Sequence, residues 1–548
     1  MNAGFTRGRL PSFLIHLGAA LCASLLFAAS FPNLFFSGGL PFLAWIALVP
    51  LFWLIHQVSL RASIFWGALY GYIAYGLFNY WLSVFHPLAG LIVGILYLVY
   101  FAVLFPILKL AIILFPRKGY LVQWLIWLAY EYLRTLGFLG YSYGILGYSQ
   151  WQVLPVIQIA SVFGVWGVSA LLVFPSAWLG AAFGNLPWRF GGPAPGVKAL
   201  FGNFFRRERL PAALWGGALL ISLIYGFAAP REYPGSPTAR LGLIQHNTDP
   251  WRGGIEEYRK NYEVLKRLSL EALAEEPDLD LVVWSETAFI PRIYWHTNYR
   301  DDPASWALIR ELLDFLKTQE VPFLIGNDDA RKEPPKNPAE DYRVDYNAAM
   351  LFNRGSLETQ YRKLHLVPFT EYFPYEKRLP WVYEALRNAD THFWEQGTEL
   401  TVFESGGLKF STPICFEDTF GSLSRDFVRA GAGLIVNLSN DAWSASLPAQ
   451  MQHLSMAVFR AVENRRSMVR STASGQTCAV APNGKILAMA EPFAENFLNV
   501  EVPVLTKLSF YTRFGDIWAQ LCLAGALLLL LIGIIKGIIL RISGGKKK

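Results

Sequence analysis

The chain has 548 residues, 53% of them apolar and only 16% charged, against roughly 45–50% and about 25% in an ordinary soluble domain. That balance excludes a single water-soluble globule. The net charge of +7 is also unevenly spread. Residues 1 to 231 carry two acidic residues, Glu131 and Glu208, against 13 Lys and Arg, whereas residues 232 to 506 carry 38 Asp and Glu against 28 Lys and Arg. The basic excess belongs to membrane flanks and the water-exposed middle is acidic, which argues against a nucleic-acid partner. Four cysteines, two of them (Cys22 and Cys522) inside apolar runs, build neither a disulfide framework nor a CxxC metal pair.

Apolar runs long enough to cross roughly 30 Å of hydrocarbon lie at Ser12 to Phe31, Leu40 to Ile55, Ser63 to Phe85, Leu91 to Phe115, Leu121 to Leu139, Leu154 to Leu179, Ala212 to Ala229 and Ile517 to Leu540. The reading is a polytopic α-helical membrane protein with eight spans. The first run is preceded by Arg7 and Arg9 and resembles a cleavable signal, but the seven spans behind it make a leader unnecessary. Arg7 and Arg9, then Arg61, then Arg117 and Lys118, then Arg189, Lys198, Arg206, Arg207 and Arg209 fall in every second connection. The positive-inside rule then puts both termini in the cytoplasm and delivers residues 232 to 510 to the opposite face. Ionisable residues within the runs are few, chiefly His16, Lys109 and Glu131, where a coupled transporter needs a set. Glu131 and Arg134 read as a pair at i, i+3 near a helix end. Tyr80, Trp81, Tyr141, Tyr143, Tyr148 and Trp151 read as an interfacial aromatic belt that could also border a lipid entrance.

The domain plan is therefore 1–231 in the membrane, 232–510 in water, and 511–548 as a last span with a basic tail. In the water-exposed part, short β-branched or Leu-rich runs alternate with amphipathic helices, the texture of a layered α/β domain. Strands are predicted at Arg240 to Gln245, Leu279 to Trp284, Val321 to Gly326, Ala348 to Asn353, Leu408 to Ile414, Leu434 to Leu438 and Ser467 to Thr472. Helices are predicted at Ile255 to Ala274, Ala307 to Thr318 and Ala449 to Arg465, with another ending at Phe427 to Ala430. Cys478 to Pro482 enters a hairpin turn at Asn483 and Gly484. Arg331 to Asp345, rich in charge and proline, reads as a loop.

Glu286, Lys363 and Cys415 stand after apolar strands or polar turns, where a layered α/β domain carries its reactive groups. A lone cysteine is commonly a small buried hydrophobe, but Glu417 and Asp418 immediately behind Cys415 argue against inert burial. A thiol nucleophile needs a proton acceptor and an oxyanion donor. His365 and His453 form no Cys-His pattern, whereas Glu286 could take the proton and Lys363 could lower the thiol pKa and hold the oxyanion. By spacing alone, Glu286 and Lys363 read as solvated or salt-bridged surface charges. Cys478, in a predicted strand, reads as structural, and Gly191 and Gly192 lack the strand–loop–helix setting of a phosphate site.

At these residues the sequence resembles the nitrilase superfamily, and the whole chain resembles the bacterial apolipoprotein N-acyltransferases. Four blocks carry the resemblance: Val283 to Ala288, Tyr361 to Tyr372, Ile414 to Asp418, and Asn437 to Trp443. It implies an inserted nitrilase-like αββα sandwich and acyl transfer through a Glu-Lys-Cys triad, with no cofactor and no metal. Cys415 would take an acyl chain from a phospholipid as a thioester, Glu286 would be the general base, and Lys363 with the Phe416 N–H would hold the oxyanion. The acyl group would pass to the α-amino group of an apolipoprotein's N-terminal diacylglyceryl-cysteine. Glu371 would orient the lysine and Glu417 support the site; Trp251 and Trp443 would meet substrate. The setting implied is the bacterial inner membrane with a periplasmic catalytic domain. Ser285 and Phe416 depart from the Pro and Tyr common in the family.

A thioester that must meet an amine before water needs apolar cover, for which Tyr372, Phe373, Tyr375, Trp381, Tyr383, Phe393, Trp394, Trp443 and Leu447 are candidates; they read equally as core. Two other functions fit the same residues. One is a membrane-tethered amide or nitrile hydrolase with water as second substrate. The other is a transporter or receptor with a non-catalytic nitrilase-like domain.

Overall fold

The computed structural model describes residues 9–85, 87–184, 188–189, 192–193, 197–248, 253–332, 343–373, 375–388, 393–442, 444 and 446–545. The chain divides into two compact units: Met1–Ala229 with Ser446–Ser455 and Phe514–Lys548, and Pro230–Ala445 with Met456–Arg513.

Among the described residues of the first unit, five helices are long and apolar enough to cross a membrane: Pro11–Ser30, Ala89–Leu114, Val165–Gly184, Arg209–Ala228 and Ile517–Ile542. Three other predicted runs take shorter or more polar forms. Leu40 to Ile55 is a 3-10 turn, Pro41–Trp45, followed by a nine-residue helix, Val49–Gln57, with Pro50 in its first turn. Ser63 to Phe85 becomes the helix Leu60–Phe78, and Leu121 to Leu139 becomes the 15-residue helix Gly119–Leu133. The run from Leu154 breaks at Gly164 (φ 66°), so a continuous helix begins only at Val165.

Glu131 and Arg134 do not pair with each other as their spacing suggests. Arg134 Nη1 donates to Tyr97 Oη (2.6 Å) and to the carbonyls of Tyr141 and Tyr143. Glu131 Oε1 accepts from Leu146 N (3.0 Å) and Trp127 Nε1. Both side chains thus satisfy the irregular backbone that follows their helix, which could not otherwise be buried. The aromatic belt is corrected at four of its six residues, Tyr80 and Tyr141 being half-buried. Trp81, Tyr143, Tyr148 and Trp151 are buried, with Trp81 Nε1 bonded to Gln452 Oε1 and Trp151 Nε1 to the Gly38 carbonyl, so they pack inward instead of facing lipid.

Among its described residues, the second unit is built on two six-stranded sheets. The first contains β1 (Thr238–Gln245), β2 (Leu281–Val283), β3 (Phe323–Lys332), β4 (Arg343–Asn353) and β5 (Ser356–Arg362). The second contains β6 (Val402–Ser405), β7 (Leu408–Ser411), β8 (Leu434–Ser439), β9 (Ser467–Thr472), β10 (Cys478–Val480) and β11 (Ile486–Met489). β12 (Asn496–Pro503) returns to pair with β1. In each sheet three central strands are parallel, β1-β2-β3 and β7-β8-β9, and the flanks are antiparallel.

Parallel strands buried on both faces read as near-continuous apolar runs. One face of each sheet shares a core in which Leu241, Leu243, Val283, Leu324 and Ala349 meet Phe410, Ile414, Val436 and Val469. The other face of the first sheet packs Ile244, Val282, Trp284 and Ile325 against the helices Ile255–Glu275 and Pro303–Lys317, through Tyr262, Leu265, Leu268, Leu308 and Leu312. Asp302 caps the second helix by accepting from Ala304 N and Ser305 N. The predicted loop from Arg331 to Asp345 is corrected at its edges, because β3 runs to Lys332 and β4 starts at Arg343.

Candidate active site

Glu286 follows β2, Lys363 follows β5, and Cys415 opens a 3-10 turn, Cys415–Thr419, just beyond β7. The backbone reaches these positions through unusual conformations. Thr287 has φ 45° and Cys415 has φ 50°, a left-handed region that costs a non-glycine residue on the order of 1 kcal/mol and recurs at functional turns. Gly326 of β3 passes so close to the Glu286 turn that a Cβ there would lie 2.1 Å from the Ser285 carbonyl oxygen. Only glycine fits that approach.

Lys363 is completely buried and its Nζ lies between two carboxylates, 3.2 Å from Glu286 Oε1 and 2.8 Å from Glu371 Oε1. An ammonium has three donor hydrogens, so one remains for a substrate oxygen. Burial works against the lysine's charge, but Glu286 and Glu371 outweigh it and hold its pKa well above the ordinary value. Glu371 Oε2 also accepts from Val367 N (2.9 Å), while burial and the charge of Glu286 push its carboxyl up against the pull of Lys363. Glu286 is fixed further by Asn347 Nδ2 on Oε1 (2.8 Å) and by the backbone N–H of Asn440 on Oε2 (2.9 Å).

Cys415 feels the charges of Glu286, Lys363, Asp441 and Glu371. Burial and the Glu286 carboxylate raise its thiol well above the ordinary value and Lys363 only partly offsets them. Lys363 pulls the thiol pKa down, as expected, but its pull is smaller than the cost of burial together with the Glu286 carboxylate. A thiol held neutral at rest needs a base at the moment of attack.

Glu417 and Asp418 are each engaged by other partners. Glu417 Oε1 accepts from Tyr361 Oη (2.8 Å), Leu364 N (2.7 Å) and His365 N (2.9 Å), and Oε2 accepts from Ile414 N (2.7 Å). This one carboxylate staples the chain after Lys363 to the turn before Cys415, and burial pushes it up to about 7 against those donors. Asp418 is buried against Arg470. Glu417→Gln, which turns an NH2 group onto backbone N–H donors, is expected to cost about 1–3 kcal/mol, read as a lower thermal midpoint of the water-exposed domain.

Phe416 is nearly buried, its ring packed edge-on against Phe420 at 5.1 Å. Its N–H stands at the start of the 3-10 turn, where donors are not consumed within the turn. Ser285 Oγ lies 3.5 Å from Nδ1 of a buried His246, which burial lowers to about 4 and so keeps neutral. His365 spends its backbone N–H on Glu417, and His453 belongs to the helical unit. Cys478 is fully buried in β10, its thiol pushed up to about 12. Trp251 and Trp443 lie outside the described residues. Of the cover candidates, Phe373 is buried, Trp394 Nε1 donates to Asp328 Oδ1 (2.8 Å), and Tyr375 and Trp381 are exposed, Trp381 by 70%. Reasoning from the sequence missed Asn347 and Asn440; an asparagine in a strand and a backbone N–H carry no local signal of such a role.

Residues 240–506 match the carbon-nitrogen hydrolase family, and residues 23–178 match the apolipoprotein N-acyltransferase N-terminal domain. Apolipoprotein N-acyltransferase 1 of Treponema denticola is 47% identical over 93% of this chain and 94% of its own. Apolipoprotein N-acyltransferase 1 of Treponema pallidum is 46% identical over 96% of each. Among solved structures, an amidase from Nesterenkonia sp. aligns with 54% of this chain and 98% of its own, at 18% identity and a TM-score of 0.37. With near-complete coverage at this identity, the chain belongs to the apolipoprotein N-acyltransferase family.

Proposed function

We propose that this protein transfers an acyl chain from a phospholipid to the α-amino group of an apolipoprotein's N-terminal diacylglyceryl-cysteine. The observation that carries the reading is the buried Lys363 ammonium shared by Glu286 and Glu371 beside the neutral Cys415 thiol. Glu286 takes the thiol proton as sulfur attacks the ester carbonyl. Lys363 and the Phe416 N–H hold the oxyanion, the ester C–O bond breaks, and Glu286 returns the proton to the departing lysophospholipid oxygen. The amine then attacks the thioester, Glu286 takes its proton, the C–S bond breaks, and the proton goes back to sulfur. Glu371 orients the lysine, Glu417 ties the turn down, and Trp251 and Trp443 are assigned to substrate binding from the sequence alone. The groups present can do this without metal or cofactor.

Eight membrane crossings within 1–231 and 511–548, with 232–510 on the periplasmic side of the inner membrane, accord with the basic connections described above. Both substrates are bilayer residents, so anchoring the domain restricts the search to the membrane plane.

The test is incubation of the purified full chain with phospholipid, then with a diacylated lipopeptide. An acyl adduct on intact protein followed by N-acylated peptide is the expected result. Free fatty acid without N-acylated peptide would instead make the protein a hydrolase. Glu286→Gln is expected to slow adduct formation by about 10²–10⁴-fold, and an unchanged rate would remove Glu286 from the mechanism.

A further inference from the structure

We propose that Asn347 is a positioning residue that sets the general base Glu286 in register with Lys363. The proposal rests on the reading of Glu286, Lys363 and Cys415 given above. Asn347 lies in β4, 1% exposed, and touches both partners at once. Its backbone carbonyl accepts from Lys363 N at 2.8 Å. Its side-chain Nδ2 donates at 2.8 Å to Glu286 Oε1, the same oxygen that lies 3.2 Å from Lys363 Nζ. An ionised carboxylate only accepts, so the amide nitrogen, not the oxygen, faces it.

The consequence follows from counting lone pairs. A carboxylate offers about four acceptor positions. Lys363 Nζ and Asn347 Nδ2 occupy Oε1, and the Asn440 N–H occupies one position on Oε2. One position on Oε2 is left, and its direction is set by the other three. A neutral donor on Oε1 also shares the oxygen with the ammonium, whose shorter bond goes to Glu371 at 2.8 Å. Without Asn347 the ionised base loses a donor and its proton-accepting direction is no longer defined.

The charged or titratable groups around Glu286 are Lys363 at the end of β5, Glu371 in the segment after it, and Cys415 in its 3-10 turn. Asp441 follows β8 beside Cys415, and neutral His246 lies beyond Ser285. Removing a donor from an ionised acid, or adding a second carboxylate against it, favours its protonated form. The base is then lost at a higher pH.

The experiment measures alkylation of Cys415 by iodoacetamide between about pH 5 and 9 in the detergent-solubilised full chain, with Cys415→Ala as background. It needs neither lipid substrate. Asn347→Leu is expected to move the acid limb of the rate up by about one pH unit, and Asn347→Asp, nearly isosteric, further in the same direction. A merely structural asparagine lowers the rate at every pH and leaves the limb in place. An unmoved limb in both variants, with Glu286→Gln altering the profile, overturns the role of Asn347 alone. A wild-type profile in Glu286→Gln overturns the role of Glu286 as base and that of Asn347 with it.

Discussion

Cys415→Ala is expected to abolish both the acyl adduct and the N-acylated lipopeptide, a loss of at least about 10³-fold, while Cys478→Ala retains both. The contrast tests position and not merely the presence of a thiol. Cys478 is buried and Cys415 half-buried, and both thiols are held above their ordinary pKa, so neither is a ready thiolate. Cys478 opens β10, paired with Arg470 on one side and Met489 on the other, and is coupled to Arg470, Asp418 and Asp441. Cys415 stands at a left-handed turn and is coupled to Glu286 and Lys363. Peptide acylated at wild-type rate by the Cys415→Ala protein would sink the thioester mechanism.

Lys363→Met is expected to have the second-largest effect, and on two readouts. Catalytically it removes a buried positive charge from the site of a developing oxyanion, a loss on the order of 10²–10³-fold in adduct formation. Structurally it leaves Glu286 and Glu371 facing each other with no cation between them. Breaking such a buried arrangement typically costs about 3–5 kcal/mol, so the thermal midpoint should fall clearly. Adding Glu371→Gln to the same protein removes one of the two carboxylates and is expected to restore part of the midpoint without restoring acylation. Stability and activity recovering together would show that the lysine acts only through folding.

Legibility in the sequence followed the physical origin of each element. Ser467 to Thr472 coincides with β9, and Leu434 to Leu438 falls within β8, because central parallel strands are buried on both faces and show as apolar or β-branched runs. β5 (Ser356–Arg362) and β12 (Asn496–Pro503) were not legible, since one pairs only β4 and the other only β1, and both expose polar residues that blur the pattern. In the helical unit, hydropathy located the apolar runs but not the breaks at Pro41–Trp45 and Gly164, which depend on backbone turns and packing. Glu286 and Lys363 are 77 residues apart; their spacing could not join them, and the four resembling blocks did.

The sequence by itself determined that this chain joins a membrane-embedded part to a water-exposed one, that its acidic middle is a layered α/β domain, and that its motif blocks are those of an acyltransferase family. Those properties are local sums of apolar area, charge and side-chain periodicity. Only the tertiary structure decided that burial and Glu286 raise the Cys415 thiol pKa, that Glu417 staples the chain after Lys363 to the turn before Cys415, and that Asn347 and the Asn440 N–H share the Glu286 carboxylate. The reason is that a buried polar group takes its ionisation state and its partners from whatever distant segments folding brings within about 3 Å of it.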